Sequence, residues 1–195
     1  LSSGPVVWSE AVEAFDADGD GDYDIMFTNG VGFSSAQGAL LPTLLINNGS
    51  AVFTDETATR IPVGFTQQGK GICACDIDQD GDQDVVFANG FFNQPRVLVN
   101  NGAGVFTDGT VARFPVLSLN SFGVNCGDVD NDGDLDLVFA DMGSASGGLC
   151  RLFINNGSGV FTNQPTQMNA INKIGAMMVN MIDIDNDFDI DVIID

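Results

Sequence analysis

Apolar residues along this chain come in short runs bounded by aspartate, asparagine and glycine, with no 3.6-residue rhythm long enough for a packing helix. Gly71-Ile72-Cys73-Ala74-Cys75, Val85-Val86-Phe87-Ala88, Val97-Leu98-Val99 and Val105-Phe106-Thr107 follow one another in this way. Each reads as a short strand. Between the last two stands Asn101-Gly102, with counterparts at Asn48-Gly49 and Asn156-Gly157. Asn-Gly predicts a two-residue type I′ hairpin, in which both central residues need positive φ.

This order of elements recurs. An aspartate-rich loop occurs four times, at Asp16–Asp24, Asp76–Asp84, Asp128–Asp136 and Asp183–Asp191, with starts 60, 52 and 55 residues apart. A second marker, INNGSAVFT from Ile46, VNNGAGVFT from Val99 and INNGSGVFT from Ile154, keeps spacings of 53 and 55. Two independent markers with one period define a repeat of about 55 residues, each of four short strands. Four-stranded units in series predict an all-β fold of β-propeller-type antiparallel blades, about three and a half in this chain. The expected organisation is a single repeat domain over 1–195. Blade 1 covers about 10–56, with its first strand at Glu10 to Phe15, blade 2 about 70–109, blade 3 about 123–163 and an incomplete blade 4 about 176–195. Half a blade has an open edge, which is a template for strand pairing. The expectation is therefore a polypeptide that continues, or strands supplied by a neighbouring chain.

Charge narrows the function. Lys and Arg number 6 against 27 Asp and Glu, a net charge of −21 in 195 residues. That argues against nucleic-acid partners and anionic membranes. Hydrophobic residues at 44% with only 17% charged exclude a disordered acidic tail. The absence of histidine removes Ser-His-Asp and Cys-His relays and the HExxH helix, and no catalytic residue is assigned. No apolar run is long enough to cross a bilayer, so membrane insertion is not expected. The start, Leu1-Ser2-Ser3-Gly4, lacks a signal-peptide pattern and a Met, and reads as a processed product or a segment. The cysteines, Cys73, Cys75, Cys126 and Cys150, form no CxxC motif. They are read either as small buried hydrophobes or as disulfides in one of three connectivities. Cys73–Cys75 is disfavoured, because alternate strand residues point the same way.

The loops carry the chemistry. Each reads D-x-D-x-D-[GF]-D-x-D and holds five carboxylates, so twenty of the 27 acidic residues lie in four short segments. Such crowding repels unless a cation joins it. Calcium takes six to eight oxygens, which a tight loop supplies from alternate side chains and one carbonyl. The first loop predicts side-chain ligands Asp16, Asp18, Asp20 and Asp24 with the carbonyl of Asp22, and Gly21 for the sharp turn. The same register gives Asp76, Asp78, Asp80 and Asp84 with the Asp82 carbonyl, then Asp128, Asp130, Asp132 and Asp136 with the Asp134 carbonyl. The fourth loop gives Asp183, Asp185, Asp187 and Asp191 with the Asp189 carbonyl, but places Phe188 where the others have Gly21, Gly81 and Gly133. A Phe there suits positive φ poorly, so this site is expected to be weaker or distorted. An EF-hand is excluded, since position 12 is Phe27, Phe87, Phe139 or Ile194 rather than a bidentate Glu. Magnesium, which favours few protein ligands and several waters, is the poorer match.

These loops, strand segments such as Asp84-Val85-Val86-Phe87-Ala88-Asn89-Gly90 and the NNGxGVFT hairpins resemble the FG-GAP/VCBS repeats of integrin-like propellers and bacterial surface proteins. The resemblance covers nearly the whole chain and implies a calcium-stiffened propeller, up to four calcium ions, and roles in adhesion, carbohydrate binding or as an accessory domain of a larger enzyme. The function expected is an extracellular or cell-surface scaffold or adhesion module. A surface filament would arise if a neighbouring chain completed the fourth repeat. The expected partners are further copies of the chain, another extracellular protein or a glycan. A lectin is the alternative, though Trp8 and Tyr23 have no counterparts in the other repeats. Phe27, Phe87 and Phe139, with Phe53, Phe106 and Phe161, recur once per unit and are expected to pack between blades. Arg60, Arg96, Arg113 and Arg151 are expected to neutralise nearby carboxylates.

Overall fold

The computed structural model describes residues 8–30, 38–143, 150–164, 168 and 176–195. The first sheet contains β1 (Trp8–Phe15), β2 (Asp24–Gly30), β3 (Thr43–Asn47) and β4 (Phe53–Asp55), followed by the helical turn α1 (Thr57–Arg60). The second contains β5 (Gly69–Cys75), β6 (Asp84–Asn89), β7 (Arg96–Val99) and β8 (Thr107–Asp108), followed by α2 (Thr110–Arg113). The third contains β9 (Ser121–Gly127), β10 (Asp136–Asp141), β11 (Arg151–Ile154) and β12 (Thr162–Asn163), and a hairpin of β13 (Val179–Ile182) and β14 (Asp191–Ile194) comes last. Each sheet keeps its strands in chain order and antiparallel, giving three four-stranded blades and one two-stranded sheet. This is the all-β, propeller-type arrangement that the repeat predicts.

The core lies between blades. One apolar cluster joins Phe15, Met26 and Leu44 of the first sheet to Ile72, Phe87 and Phe106 of the second. A second joins Cys75, Val86 and Val97 to Leu137, Phe139 and Phe161 of the third. A third joins Val138 and Leu152 to Val179. The leading strands β1, β5, β9 and β13 run side by side. Glycine permits this close approach, since a Cβ at Gly71 would lie 2.9 Å from the Cα of Gly123.

Three details differ from the sequence reading. Single helical turns follow β4 and β8, each started by an aspartate accepting the N–H two residues on, Asp55 from Thr57 and Asp108 from Thr110, both at 3.1 Å. The hairpins are not type I′. Positive φ falls on Gly49 and Ala51, Gly102 and Gly104, and Gly157 and Gly159, while Asn48, Asn101 and Asn156 keep negative φ. The Asn101 carboxamide oxygen accepts from Ala103 N and Val105 N at 3.1 and 3.2 Å, which wraps a longer Asx-bonded loop. The recurring Phe set also divides. Phe87, Phe106, Phe139 and Phe161 are buried against the preceding blade, whereas Phe53 is exposed and Phe27 half-buried, because no described blade precedes the first.

Candidate metal centres

Each loop is shaped by its own first aspartate. Asp16 accepts backbone N–H groups from Gly19 and Gly21, and Asp76, Asp128 and Asp183 accept from the fourth and fifth residues onward, at 2.8–3.2 Å. The turn needs left-handed backbone twice. Position 4 has φ of 75°, 61°, 61° and 61° at Gly19, Gln79, Asn131 and Asn186, and position 6 has 90°, 95°, 92° and 72° at Gly21, Gly81, Gly133 and Phe188. Phe188 thus adopts the glycine conformation, and loop four keeps the shape of the others.

The remaining aspartates divide their work by position. At position 5, Asp20, Asp80, Asp132 and Asp187 each accept the N–H of position 7 at 2.9–3.0 Å. At position 7, the side chains of Asp22, Asp82 and Asp134 lie against the hairpin glycines Gly49, Gly102 and Gly157, leaving no room for a Cβ there. Asp134 also accepts from Gln79 Nε2 at 2.6 Å and Asp189 from Asn131 Nδ2 at 2.8 Å, linking successive loops. Position 7 side chains are therefore engaged outside the carboxylate clusters.

Position 9 is inside. Asp24, Asp84 and Asp136 are fully buried. Asp24 accepts from Ala17 N at 2.9 Å and Asn47 N at 2.7 Å, and Asp136 from Val129 N at 3.1 Å and Asn155 N at 2.8 Å. Asp84 accepts from Asn100 N at 2.7 Å and Asp191 from Ile184 N at 3.0 Å. Burial pushes the Asp84 carboxyl up to about 7 and that of Asp136 to about 6, beyond what the N–H donors offset. Asp24 is raised by the same cause.

Asp16, Asp18 and Asp24 bring carboxylate oxygens within 4.8 Å of one another, as do Asp128, Asp130 and Asp136, and Asp183, Asp185 and Asp191. In loop two the three so placed are Asp76, Asp78 and Asp80. These four groups have the reach to hold a metal ion. One oxygen of the third-position aspartate is telling. Asp18 Oδ2 meets Arg60 at 3.2 Å and Asp78 Oδ2 meets Arg113, yet Asp18 Oδ1 and Asp78 Oδ1 are buried with no hydrogen-bond partner among the described residues. An orphaned carboxylate oxygen inside an acidic cluster is the donor a cation would satisfy.

Two supporting residue types went unassigned as site residues in the sequence. Asn100 and Asn155 donate Nδ2 to the Ala17 and Ile77 carbonyls of the preceding blade's loop, at 2.8 and 2.7 Å. Arg60 and Arg113 likewise clamp the third-position aspartate to the next blade's hairpin, at the Ala103 and Ser158 carbonyls. The signal was present, as Thr-x-x-Arg recurs at 57–60 and 110–113 and the leading Asn recurs at 47, 100 and 155. Arg96 and Arg151 pair elsewhere, with Asp108 at 2.8 Å and Asp141 at 3.6 Å.

The profile of the FG-GAP-like repeat matches residues 16–87 and again 76–139, each match running from one aspartate loop through the strand that leaves the next. The chain belongs to the FG-GAP-like repeat family. The fourth loop of this FG-GAP-like chain lies beyond both matched stretches. Among 14 matching chains of solved structures is a lectin of Agrocybe aegerita, described as specifically recognising non-reducing terminal N-acetylglucosamine. It is 23% identical with a TM-score of 0.46, and the match covers 78% of this chain and 36% of the lectin's length. No curated protein matches the chain. Among the described residues, no helix is long and apolar enough to cross a membrane.

Proposed function

We propose that this chain is a calcium-stabilised β-propeller scaffold of the cell exterior, serving adhesion or assembly and carrying no catalytic centre. The observation behind this reading is the pair of buried, unpartnered oxygens, Asp18 Oδ1 and Asp78 Oδ1, each within a repeated carboxylate cluster. Calcium would be held by the aspartates at positions 1, 3, 5 and 9 and the carbonyl of position 7. When bound it supplies positive charge against five carboxylates and fixes the turn between two strands. Millimolar calcium outside cells fills loops of modest affinity, whereas cytosolic levels leave them empty. Isothermal calorimetry of chelator-treated protein with calcium is the test. Heat with a stoichiometry of three to four, and a melting temperature that rises with calcium, are expected. Absent heat and a chelator-insensitive melt would refute the reading.

A second observation bears on partners. Trp8, Val12 and Phe53 on the first blade, and Ile182, Phe188 and Ile193 on the last hairpin, are apolar and exposed. Apolar surface at both ends of a blade stack favours docking of a neighbouring molecule end to end. Sedimentation velocity should show concentration-dependent growth that Trp8→Asp abolishes. A monomer at every concentration would remove this part of the reading.

A further inference from the structure

We propose that Cys126 is the hub of an inter-blade disulfide, bonding to either Cys73 or Cys75 and leaving the other as a buried thiol beside the bond. The three sulfurs lie within 4.8 Å of one another, and strand parity explains why. Counted back from the first aspartate of their loops, Cys73 and Cys75 stand three and one residues before Asp76, and Cys126 two before Asp128. Alternate residues point to opposite faces, so the pair on β5 and the single cysteine on β9 look toward each other across adjoining strands. At the equivalent place between the first two blades, Phe15 packs with Ala74, and between the last two Gly127 faces Met181. Three of the four thiols thus concentrate at one interface. Cys150 sits apart, in the cluster between the third blade and the last hairpin.

The surroundings favour a neutral bridge over a bound metal. Cys73 and Cys75 are buried among Ile77, Val86, Val97, Leu137 and Phe139. Three thiolates around a divalent ion would leave a net negative charge in that apolar lining, close enough to the Glu13 carboxyl to raise its pKa further. Reactivity is already graded. Hydrogen bonds from both neighbours hold the Cys126 thiol down at about 4, while those contacts and burial keep Cys73 and Cys75 protonated. Cys126 is also the half-buried member, open to a small reagent.

The chemistry needs a disulfide oxidant, of which oxidised glutathione is the probe. The Cys126 thiolate attacks one of its sulfurs, expelling a glutathione thiolate and forming a mixed disulfide. Cys73 or Cys75 then loses its proton and attacks the Cys126 sulfur, expelling the second thiolate. Two protein thiols are oxidised, one glutathione disulfide is reduced to two thiols, and the remaining cysteine can exchange with its neighbour without net redox change. In the cell this requires the oxidising exterior proposed above, whereas the thiol count in vitro does not depend on calcium.

The test is to equilibrate the folded protein with glutathione buffer, acid-quench, alkylate under denaturing conditions and map peptides without reduction. Accessible thiols should fall from four to two, with Cys126 in every bridge, both Cys73 and Cys75 found as partners, and Cys150 in none. Cys126→Ser should form no bridge and Cys150→Ser should keep it. Cys73→Ser and Cys75→Ser should each retain one bridge to Cys126, which preserves the test if Cys126→Ser does not fold. The oxidised protein should melt higher than the reduced by on the order of 10 °C. Four remaining thiols, a Cys73–Cys75 bridge, any bridge through Cys150, or stoichiometric zinc uptake that blocks oxidation would overturn the proposal.

Discussion

Loops two and four carry aspartates at the same spacing but meet different surroundings. In loop two, Asp78 is clamped by Arg113, the Ile77 carbonyl is bonded by Asn155 of the next blade, and Gln79 reaches the Gly133 carbonyl at 2.9 Å. In loop four, Asp185, Asp187 and Asp189 are exposed and Asp191 is only half-buried. The internal hydrogen bonds are nevertheless the same, from Asp187 N and Phe188 N to Asp183 as from Asp80 N and Gly81 N to Asp76. Loop shape is therefore local, written in nine residues, whereas loop burial is conferred by the blade that follows. A metal centre of this type should strengthen with a successor blade and weaken without one.

The largest expected effect tests whether the ion matters at all. A site at a hundredfold excess over its Kd contributes about 2.7 kcal/mol, so three such sites give roughly 8 kcal/mol and a melting shift on the order of 20 °C on chelation. Asp78→Ala should remove a larger share of this shift than Asp185→Ala, measured by scanning calorimetry in calcium. Equal shares, or the reverse order, would break the contrast between the loops.

The latch comes next. Asn100 and Asn155 are buried and donate to a carbonyl in their own blade and to one in the preceding blade. Truncation to Ala leaves those carbonyls without a donor and should cost about 2–3 kcal/mol. Asn47 occupies the same repeat position, but among the described residues its amide donates only to Tyr23 O, at an exposed site. Asn47→Ala should cost under about 1 kcal/mol in urea unfolding, and parity among the three would show that inter-blade bonding is not what sets the cost.

The contrast also marks how far the sequence could be read. Period, strand count and the aspartate register are local signals, repeated several times, and they emerge from one chain alone. The helical turns, the Asx-bonded hairpins and the Arg clamps are set by contacts across repeats. Arg113 and Asp78 are 35 residues apart and meet only once the blades stack. The exposure of Phe53 has the same origin, because its neighbour in sequence is normal and its neighbour in space is missing among the described residues. Parity alone would have faced Cys126 toward Cys73 and Cys75, but only if β5 and β9 were known to adjoin. Phe188 shows the opposite case, since a residue with poor intrinsic preference takes positive φ within the same loop hydrogen bonds as the glycines, so the loop is not distorted.

A smaller effect separates the calcium-free from the calcium-bound protein by sign. Asp84 and Asp136 have folded pKa values of about 7 and about 6 against an ordinary 3.8. Between those limits the native state holds protons that the unfolded chain has released, so without calcium stability falls as pH rises from about 4 to 7. Calcium binding requires the ionised form, so its stabilisation grows over the same range. Melts in EDTA should be higher at pH 5 than at pH 8 by about 5 °C, and melts in calcium should reverse that order. The same sign in both conditions would sever the buried position-9 carboxylates from the ion.

The smallest effect isolates the one residue in which loop four departs from the turn pattern. Phe188 sits at φ 72° and is 88% exposed, so it has left-handed backbone without packing to offset it. For a residue with a Cβ this conformation costs about 1 kcal/mol or somewhat more, which Phe188→Gly should partly recover against the greater entropy of glycine in the unfolded chain. The expected outcome is a fourth calcium affinity raised about threefold to fivefold, with global stability changed by less than about 1 kcal/mol. Gly81→Ala places left-handed strain in loop two, where nothing lies within 4 Å of the added Cβ, so any loss there is conformational rather than steric. If Phe188→Gly leaves the fourth affinity unchanged while Gly81→Ala weakens the second, any lower affinity of loop four follows from its exposed aspartates and not from its turn residue. Calorimetric titration of the two variants side by side separates these causes.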